Sequence, residues 1–506
     1  MKYGAIAGGE KSTVQAAFNI MENGGNAFDA AVGAVFTSMV SEYCLTGPGG
    51  GGAFLASPVN AEPILFDFFV DTPHPQPEKE LDFFSIIVDF GPSQQQFHIG
   101  QGSVAIPGNI AGLLKVHQRL GQIPLKAVLE PAVNAARNGI VLNSSQGYLI
   151  KILEPILTHS NGGKVLFSPN GKLLKKDDRF KNPKFADLLE ILVAEGHMYF
   201  YEKDGAELIL NTVGEKGLLT KEGLALYRVA ERVPLKSDFR GKTIYTNPAP
   251  AIGGTLITFF LQLLERSKTG TRSELIDLIR AMQITSAARR EISIDMNNEF
   301  QISQLLEPRT FNHYLRLFDS GSNPSQNEKD PVSRGATTHV SVIDKHGNAA
   351  SVTTTNGEGC GYIIPELGMM LNNMLGEEDL NPMGFHQWAH QRRLPTMISP
   401  TIVMGKKGVE LVLGSGGSNR LRSAISQVIL NLFAKKMDLE ASVHEARIHL
   451  EGNVLHYEPG TILERSVDDI RLHPWDDNNL FFGGVNAVSP SEAIGDQRRG
   501  ATGIIR

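Results

Sequence analysis

The segment Arg334-Gly-Ala-Thr-Thr-His-Val-Ser-Val-Ile-Asp344 constrains this chain more than any other. Thr337 and Thr338 head a run that alternates like a strand as far as Ile343, and Ala349–Thr355 alternates again beyond the turn formers Asp344-Lys-His-Gly-Asn348. Two such runs about a short turn predict a β-hairpin. A hydroxyl is a weak nucleophile unless a base sits beside it. A threonine that becomes the first residue of a chain supplies that base as its own α-amine. The segment therefore suggests self-cleavage before Thr337, with the new terminus as active site. Taken alone, Thr-Thr-His is a β-branched strand start, so the weight rests on the rest of the chain.

At 506 residues the chain is well above the size at which burying a core is difficult. Length by itself suggests about three domains of roughly 150 residues. An apolar fraction of 41% and a charged fraction of 20% are those of an ordinary globular protein. The net charge of -6 argues against nucleic acid or an anionic membrane as partner. Cys44 and Cys360 are the only cysteines, too few for a disulfide framework or a metal cluster, and two reduced or buried thiols are the expectation. His339, His346, His386 and His390 lack partners at ligand spacing, so neither metal nor cofactor is expected. Residues 1–9 have no apolar core of signal-peptide length, and runs such as Val428 to Ala434 are too short to span a bilayer. These features lead us to expect a cytoplasmic enzyme.

Ser12 to Ser41 reads as a helix pair, with Ser12 as N-cap, a stop at Asn23-Gly-Gly-Asn26, and a buried second helix over Ala27–Val40. An apolar strand is expected at Ala53–Ala56, after Gly47-Pro-Gly-Gly-Gly-Gly52. Those glycines lack the Lys-Ser/Thr of a phosphate-binding loop and read as close packing. Helices are expected over 111–120, 126–138, 186–195, 221–230, 254–266 and 273–288. Residues 319–335 are rich in turn formers and read as a mobile linker. A second hairpin is expected from Thr401–Met404 and Val409–Leu413, followed by a helix from Arg422 to Ala434. Two sheets with helices outside is the arrangement these elements suggest.

Seven segments, in order along nearly the whole chain, resemble the γ-glutamyltranspeptidase family of N-terminal-nucleophile hydrolases. They are Asn23-Gly-Gly-Asn-Ala-Phe-Asp-Ala-Ala-Val32, Thr46-Gly-Pro-Gly-Gly-Gly-Gly52, Ala105-Ile-Pro-Gly-Asn-Ile-Ala-Gly112 and Tyr245-Thr-Asn-Pro-Ala-Pro-Ala-Ile-Gly-Gly254. Gly368-Met-Met-Leu-Asn-Asn-Met374, Ser399-Pro-Thr401 and Gly414-Ser-Gly-Gly-Ser-Asn-Arg420 complete the set. The resemblance implies an α+β fold, a four-layer αββα sandwich built from a precursor cut between Ala336 and Thr337. The products would be a large subunit of residues 1–336 and a small one of 337–506, associated as one structural unit.

The resemblance makes Thr337 the nucleophile and Thr355 the second threonine that holds it. It makes Gly416 and Gly417 the oxyanion hole, where backbone N–H groups must reach the developing charge. Asn356, Glu377, Thr396 and Ser418 fall at substrate-binding positions, with Glu378 and Asp379 as rivals to Glu377. The expected partner is a small-molecule γ-glutamyl or acyl-amide substrate, its acyl group passing to water or an amine. Two departures touch recognition. Phe69, in Leu65-Phe-Asp-Phe-Phe-Val70, replaces the arginine that grips an α-carboxylate, and a phenyl ring cannot replace a bidentate guanidinium pair. Met397 replaces one of two serines, leaving Thr396 with a hydroxyl. Arg392, Arg393 or Arg420 could supply the missing charge from another direction. An acylase of non-glutamyl groups is thus a competing reading, and an uncut non-catalytic scaffold a more distant one.

Overall fold

The computed structural model describes residues 1–89, 94–267, 275–292, 299–321, 336–461 and 470–506. Most of the linker 319–335, including Arg334 and Gly335, lies outside the described residues.

The Thr337–Asp344 and Ala349–Thr355 strands pair antiparallel with Thr337 opposite Thr355, as the alternation predicts. They form the middle of a seven-stranded antiparallel sheet. Its order is Thr502–Ile505, Gly4–Gly8, Thr337–Asp344, Ala349–Thr355, Gly51–Ser57, Ile64–Phe68, Ala230–Arg232. A second, six-stranded sheet runs Ala493–Ile494, Gly484–Val488, Gly408–Gly416, Thr401–Gly405, Lys242–Thr246, Leu235–Phe239. Each sheet takes strands from both sides of the Ala336–Thr337 bond.

Side chains alternate across a strand, so each sheet offers two faces. Val340, Val342, Ala350 and Val352 pack on the helices Lys11–Glu22 and Ala27–Ser41 in one apolar layer. Val403, Leu411 and Leu413 pack on Gly253–Arg266 and Arg420–Phe433 in another. Ala5, Ala53, Leu55, Ile402, Val412 and Val488 fill the layer between the sheets. This is the αββα sandwich, with the helices outermost. The inner layer is also polar: Ser351 Oγ donates to the Leu413 carbonyl at 2.9 Å, and Asn486 Nδ2 to the His339 carbonyl at 2.7 Å. These bonds fix the height of one sheet against the other.

Several element boundaries differ from the sequence reading. The first helix is capped by Glu10, whose carboxylate accepts the Ser12 N–H, and not by Ser12 itself. The helix expected over 221–230 spans only Lys221–Leu226, because the chain then joins the edge of the first sheet at Ala230. The helix expected over 186–195 begins at Pro183, a residue suited to a first turn where its missing N–H costs nothing. Both cysteines are free thiols. No helix among the described residues is long and apolar enough to cross a membrane.

Candidate active site

The hairpin puts Thr337 and Thr355 side by side at one end of the first sheet, on its inner face. Ala336, the residue before the strand, is held by the hairpin itself. Its carbonyl accepts a hydrogen bond from Thr355 Oγ1, and Thr355 Oγ1 in turn accepts the Gly357 N–H at 3.0 Å. The hydroxyl is thereby oriented toward the Ala336 carbonyl, the group that Thr337 would attack. The Ala336 N–H donates to Glu358 Oε1 at 3.2 Å.

Gly416 ends a strand of the second sheet and lies directly against Thr337. A Cβ there would overlap the Thr337 carbonyl oxygen, so the close approach requires glycine. Gly417 follows with φ 125°, a backbone conformation open to glycine and strained for other residues. Arg499 Nη1 donates to the Thr337 carbonyl at 3.3 Å from the opposite chain end. Burial pushes the Arg499 guanidinium down to about 10, with the Arg420 charge adding to the effect. Behind Thr337, Thr338 points to the helix side and donates to Glu42, which also accepts from Thr13 Oγ1 at 2.8 Å.

The substrate-binding candidates separate into two groups. Glu377 joins the site: its Oε1 faces Gly357, where a Cβ would overlap both it and Asn373 Oδ1. Asn373 Oδ1 accepts the N–H groups of Glu358 and Gly359 at 2.9 and 3.2 Å, which ties the loop after Thr355 to the loop carrying Glu377. Ser418 joins through its hydroxyl, which donates to Asp379 Oδ2 at 2.7 Å. Asn356 is buried beside Thr355, its Nδ2 donating to the Met370 carbonyl at 3.2 Å. Of the rivals to Glu377, Asp379 turns inward and Glu378 is exposed. Thr396 does not join by hydrogen bonding. Its hydroxyl accepts the Ile398 N–H at 3.2 Å and its carbonyl caps the helix beginning at Gly253.

Phe69 is buried among Met374, Leu375 and Leu394. Arg393 lies beside it without replacing the missing arginine. Its Nη1 donates to the Phe69 carbonyl and to Tyr227 Oη, and its Nε lies 3.4 Å from Asp67 and 3.3 Å from Asp71. Arg420 donates from Nε to the Phe481 carbonyl at 3.1 Å and stacks over the Phe481 ring. Arg392 is exposed. His339 is locked between Thr353 Oγ1 and Ser341 Oγ, and burial pushes it down to about 3, which keeps it neutral. Among the described residues no group of three His, Cys, Asp or Glu side chains is placed to hold a metal ion.

Sequence reasoning missed Glu358, Glu42 and Arg499. Glu358 had a signal, being the one charged residue in the glycine-rich loop Asn356-Gly-Glu-Gly-Cys-Gly361. Glu42 and Arg499 reach the strand from helix ends far along the chain and had none.

Comparison with known proteins agrees with this geometry. The family model described as gamma-glutamyltranspeptidase matches residues 13–502. The chain is 26% identical to the "Glutathione hydrolase proenzyme" of Pseudomonas aeruginosa, over 99% of this chain and 94% of that protein. It is 28% identical to the "Acylase ACY 1 proenzyme" of Pseudomonas sp. (strain SE83), over 93% and 87%. The crystal structure of cephalosporin acylase from Bacillus halodurans has the same fold, with a TM-score of 0.80 at 19% identity, covering 99% of this chain and 96% of that one. From its first helix to its last strand, the chain belongs to the γ-glutamyltranspeptidase family.

Proposed function

We propose that this chain is a self-processing precursor that becomes a γ-glutamyltransferase/hydrolase with Thr337 as nucleophile. The observation that carries the reading is the Ala336 carbonyl, held by Thr355 Oγ1 at the residue preceding a buried strand-initial threonine. In the first stage Thr337 Oγ adds to the Ala336 carbonyl carbon. The C–N bond breaks, the hydroxyl proton passes to the Thr337 nitrogen, and an ester replaces the amide. Water hydrolyses that ester, leaving Ala336 with a carboxylate and Thr337 with a free amine. The two relatives described as proenzymes support a processed mature form.

In the second stage the Thr337 amine takes the proton of its own hydroxyl as it attacks a substrate amide. An α-amine has a pKa of about 7.7–8.0, close enough to neutral pH to act as base. The acyl group then passes from Thr337 to water or to an amine. Gly416 and Gly417 are our candidates to stabilise the oxyanion, since Gly416 lies too close to Thr337 to carry a side chain and Gly417 beside it adopts φ 125°, which favours glycine. An acylase acting on non-glutamyl groups is the second reading, favoured by the apolar setting of Phe69.

Intact mass of the purified protein beside Thr337→Ala tests the proposal. We expect two fragments meeting at Ala336/Thr337 in the wild type and one chain in the variant. A wild-type chain that stays whole on prolonged incubation would leave Thr337 without its base, and the scaffold reading would take precedence.

A further inference from the structure

The two sheets end differently on the two sides of the sandwich. On one side their last strands close on each other: Ala493–Ile494 lies so near Thr502–Ile505 that a Cβ on Gly503 would overlap the Ala493 carbonyl oxygen. On the other side the chain runs along both edges in succession. Ala230–Arg232 ends the seven-stranded sheet, and after Val233 and Pro234 the strand Leu235–Phe239 ends the six-stranded one. An open edge presents unpaired N–H and C=O groups and is a template for a further strand. Val233, between the two edges, is 87% exposed, more than any other large hydrophobic among the described residues.

The hairpin fixes which backbone groups face outward. Arg240 and Gly241, with φ of 49° and 72°, join Leu235–Phe239 to Lys242–Thr246 in a two-residue turn. The residues flanking such a turn, Phe239 and Lys242, exchange both hydrogen bonds. The alternation of an antiparallel ladder then turns Ser237 and Leu235 the same way. The N–H and C=O groups of Lys236 and Asp238 therefore point away from the sheet, and no described residue bonds to them. The Lys236 and Asp238 side chains share one face and are exposed. Ser237 and Phe239 are buried on the other face, beside the helix Gly253–Arg266.

A strand that pairs antiparallel with a copy of itself must match when read from either end. Leu235–Phe239 does so about Ser237. With Ser237 opposite its counterpart, Lys236 stands opposite Asp238 on both sides of the axis, and Leu235 opposite Phe239. The outward N–H and C=O groups of Lys236 and Asp238 then meet each other as hydrogen-bonded pairs. Opposite charges facing across such a pair attract, and like charges repel. In the same register Val233 stands opposite Gly241, where nothing in the chain occupies the space around a Cβ. From this self-complementary charge and register we infer that the chain forms a two-fold dimer through Leu235–Phe239, joining two six-stranded sheets edge to edge. A pairing of five residues is small for a permanent interface, so the association should be weak, with a Kd of about 10–100 μM.

Sedimentation velocity of the purified full chain, at concentrations on either side of that Kd, tests the dimer whether or not the chain cuts itself. We expect a monomer that becomes a dimer as concentration rises. Asp238→Lys sets lysine against lysine at both charge pairs, and Lys236→Asp sets acid against acid. Each should raise the Kd at least about 10-fold. The double exchange, Lys236→Asp with Asp238→Lys, restores both attractions and should return the Kd to within about threefold of wild type. That restoration also shows that the single variants lose the contact and not the fold. A monomer at every concentration, the result if this edge receives a strand of some other protein, would overturn the inference. So would a dimer that Asp238→Lys leaves at wild-type strength, or one that the double exchange fails to restore.

Discussion

The central hairpin carries threonines on both faces, and the two faces differ in what their hydroxyls meet. On the inner face Thr337 and Thr355 sit opposite each other, with the Ala336 carbonyl on Thr355 and Gly416 packed against Thr337. On the outer face Thr338 and Thr354 bond to Glu42 and Thr46, at the end of a helix and in the loop after it. One residue type, one strand pair and near-complete burial thus give two environments. The inner threonines adjoin the Ala336 carbonyl, whereas the outer ones tie the sheet to the helical layer. Strand parity alone assigns each threonine to its side, since neighbours along a strand point opposite ways. A shift of one residue in register would exchange the two sets.

The comparison breaks most readily at Thr355. Thr355→Val keeps the shape of the side chain and removes the donor to the Ala336 carbonyl. If the inner face serves chemistry, self-cleavage should slow by about 100-fold or more, the usual scale for loss of one preorganised donor to a reacting carbonyl. Thr355→Ser should recover most of the rate. A time course of fragment appearance measures both. Cleavage at the wild-type rate in Thr355→Val would make Thr355 an ordinary packed threonine and erase the distinction between the faces.

Alternation was legible in the sequence, and with it the hairpin; which face Thr337 takes, and that Val340 and Val342 meet the helices, came from the structure. Helical periodicity placed the Ser12–Ser41 helix pair, although not the Glu10 cap, because a glutamate two residues before Ser12 competes for the same N–H groups. The pocket was much less legible. Glu358 and Asp379 meet through two loops whose paths depend on Asn373, itself bonded to the Glu358 and Gly359 N–H groups. Arg393 was open as a substitute for the missing arginine. Only its ion pairs with Asp67 and Asp71, more than 300 residues earlier in order, exclude that role. Local pattern encodes strands and their faces, whereas the charge state of a pocket depends on loops brought together over long separations.

The outer face can be probed through Glu42. Burial pushes this carboxyl up to about 7, with Glu10 adding to the rise and the Thr338 and Thr13 hydroxyls and Arg499 opposing it. The folded state therefore holds a proton that the unfolded state, titrating near 4.5, has released. Stability contributed at this position falls as pH rises from about 4.5 to 7, because the native form binds more protons in that window. At about 1.4 kcal/mol per unit, the loss amounts to roughly 3 kcal/mol across it. Glu42→Gln cannot titrate, so the melting temperature of the wild type minus that of the variant should decline by about 3 °C between those pH values. A flat difference would mean that Glu42 is ionised throughout, held by Arg499.

The smallest effect is expected at Thr46, whose hydroxyl meets that of Thr354 at 2.8 Å in a fully buried position. Thr46→Val preserves volume and leaves the Thr354 hydroxyl short of that partner, at a cost of about 1–2 kcal/mol. For a chain of this length that corresponds to a drop in melting temperature of about 1–2 °C. Rates of self-cleavage and of donor turnover should stay within about twofold of wild type, because neither Thr338 nor Thr354 adjoins the Ala336 carbonyl. Paired thermal and kinetic measurements on the one variant decide the matter. A fall in rate well beyond the change in stability would show that the outer face reaches Thr337 through the strand, and that parity does not insulate one set of threonines from the other.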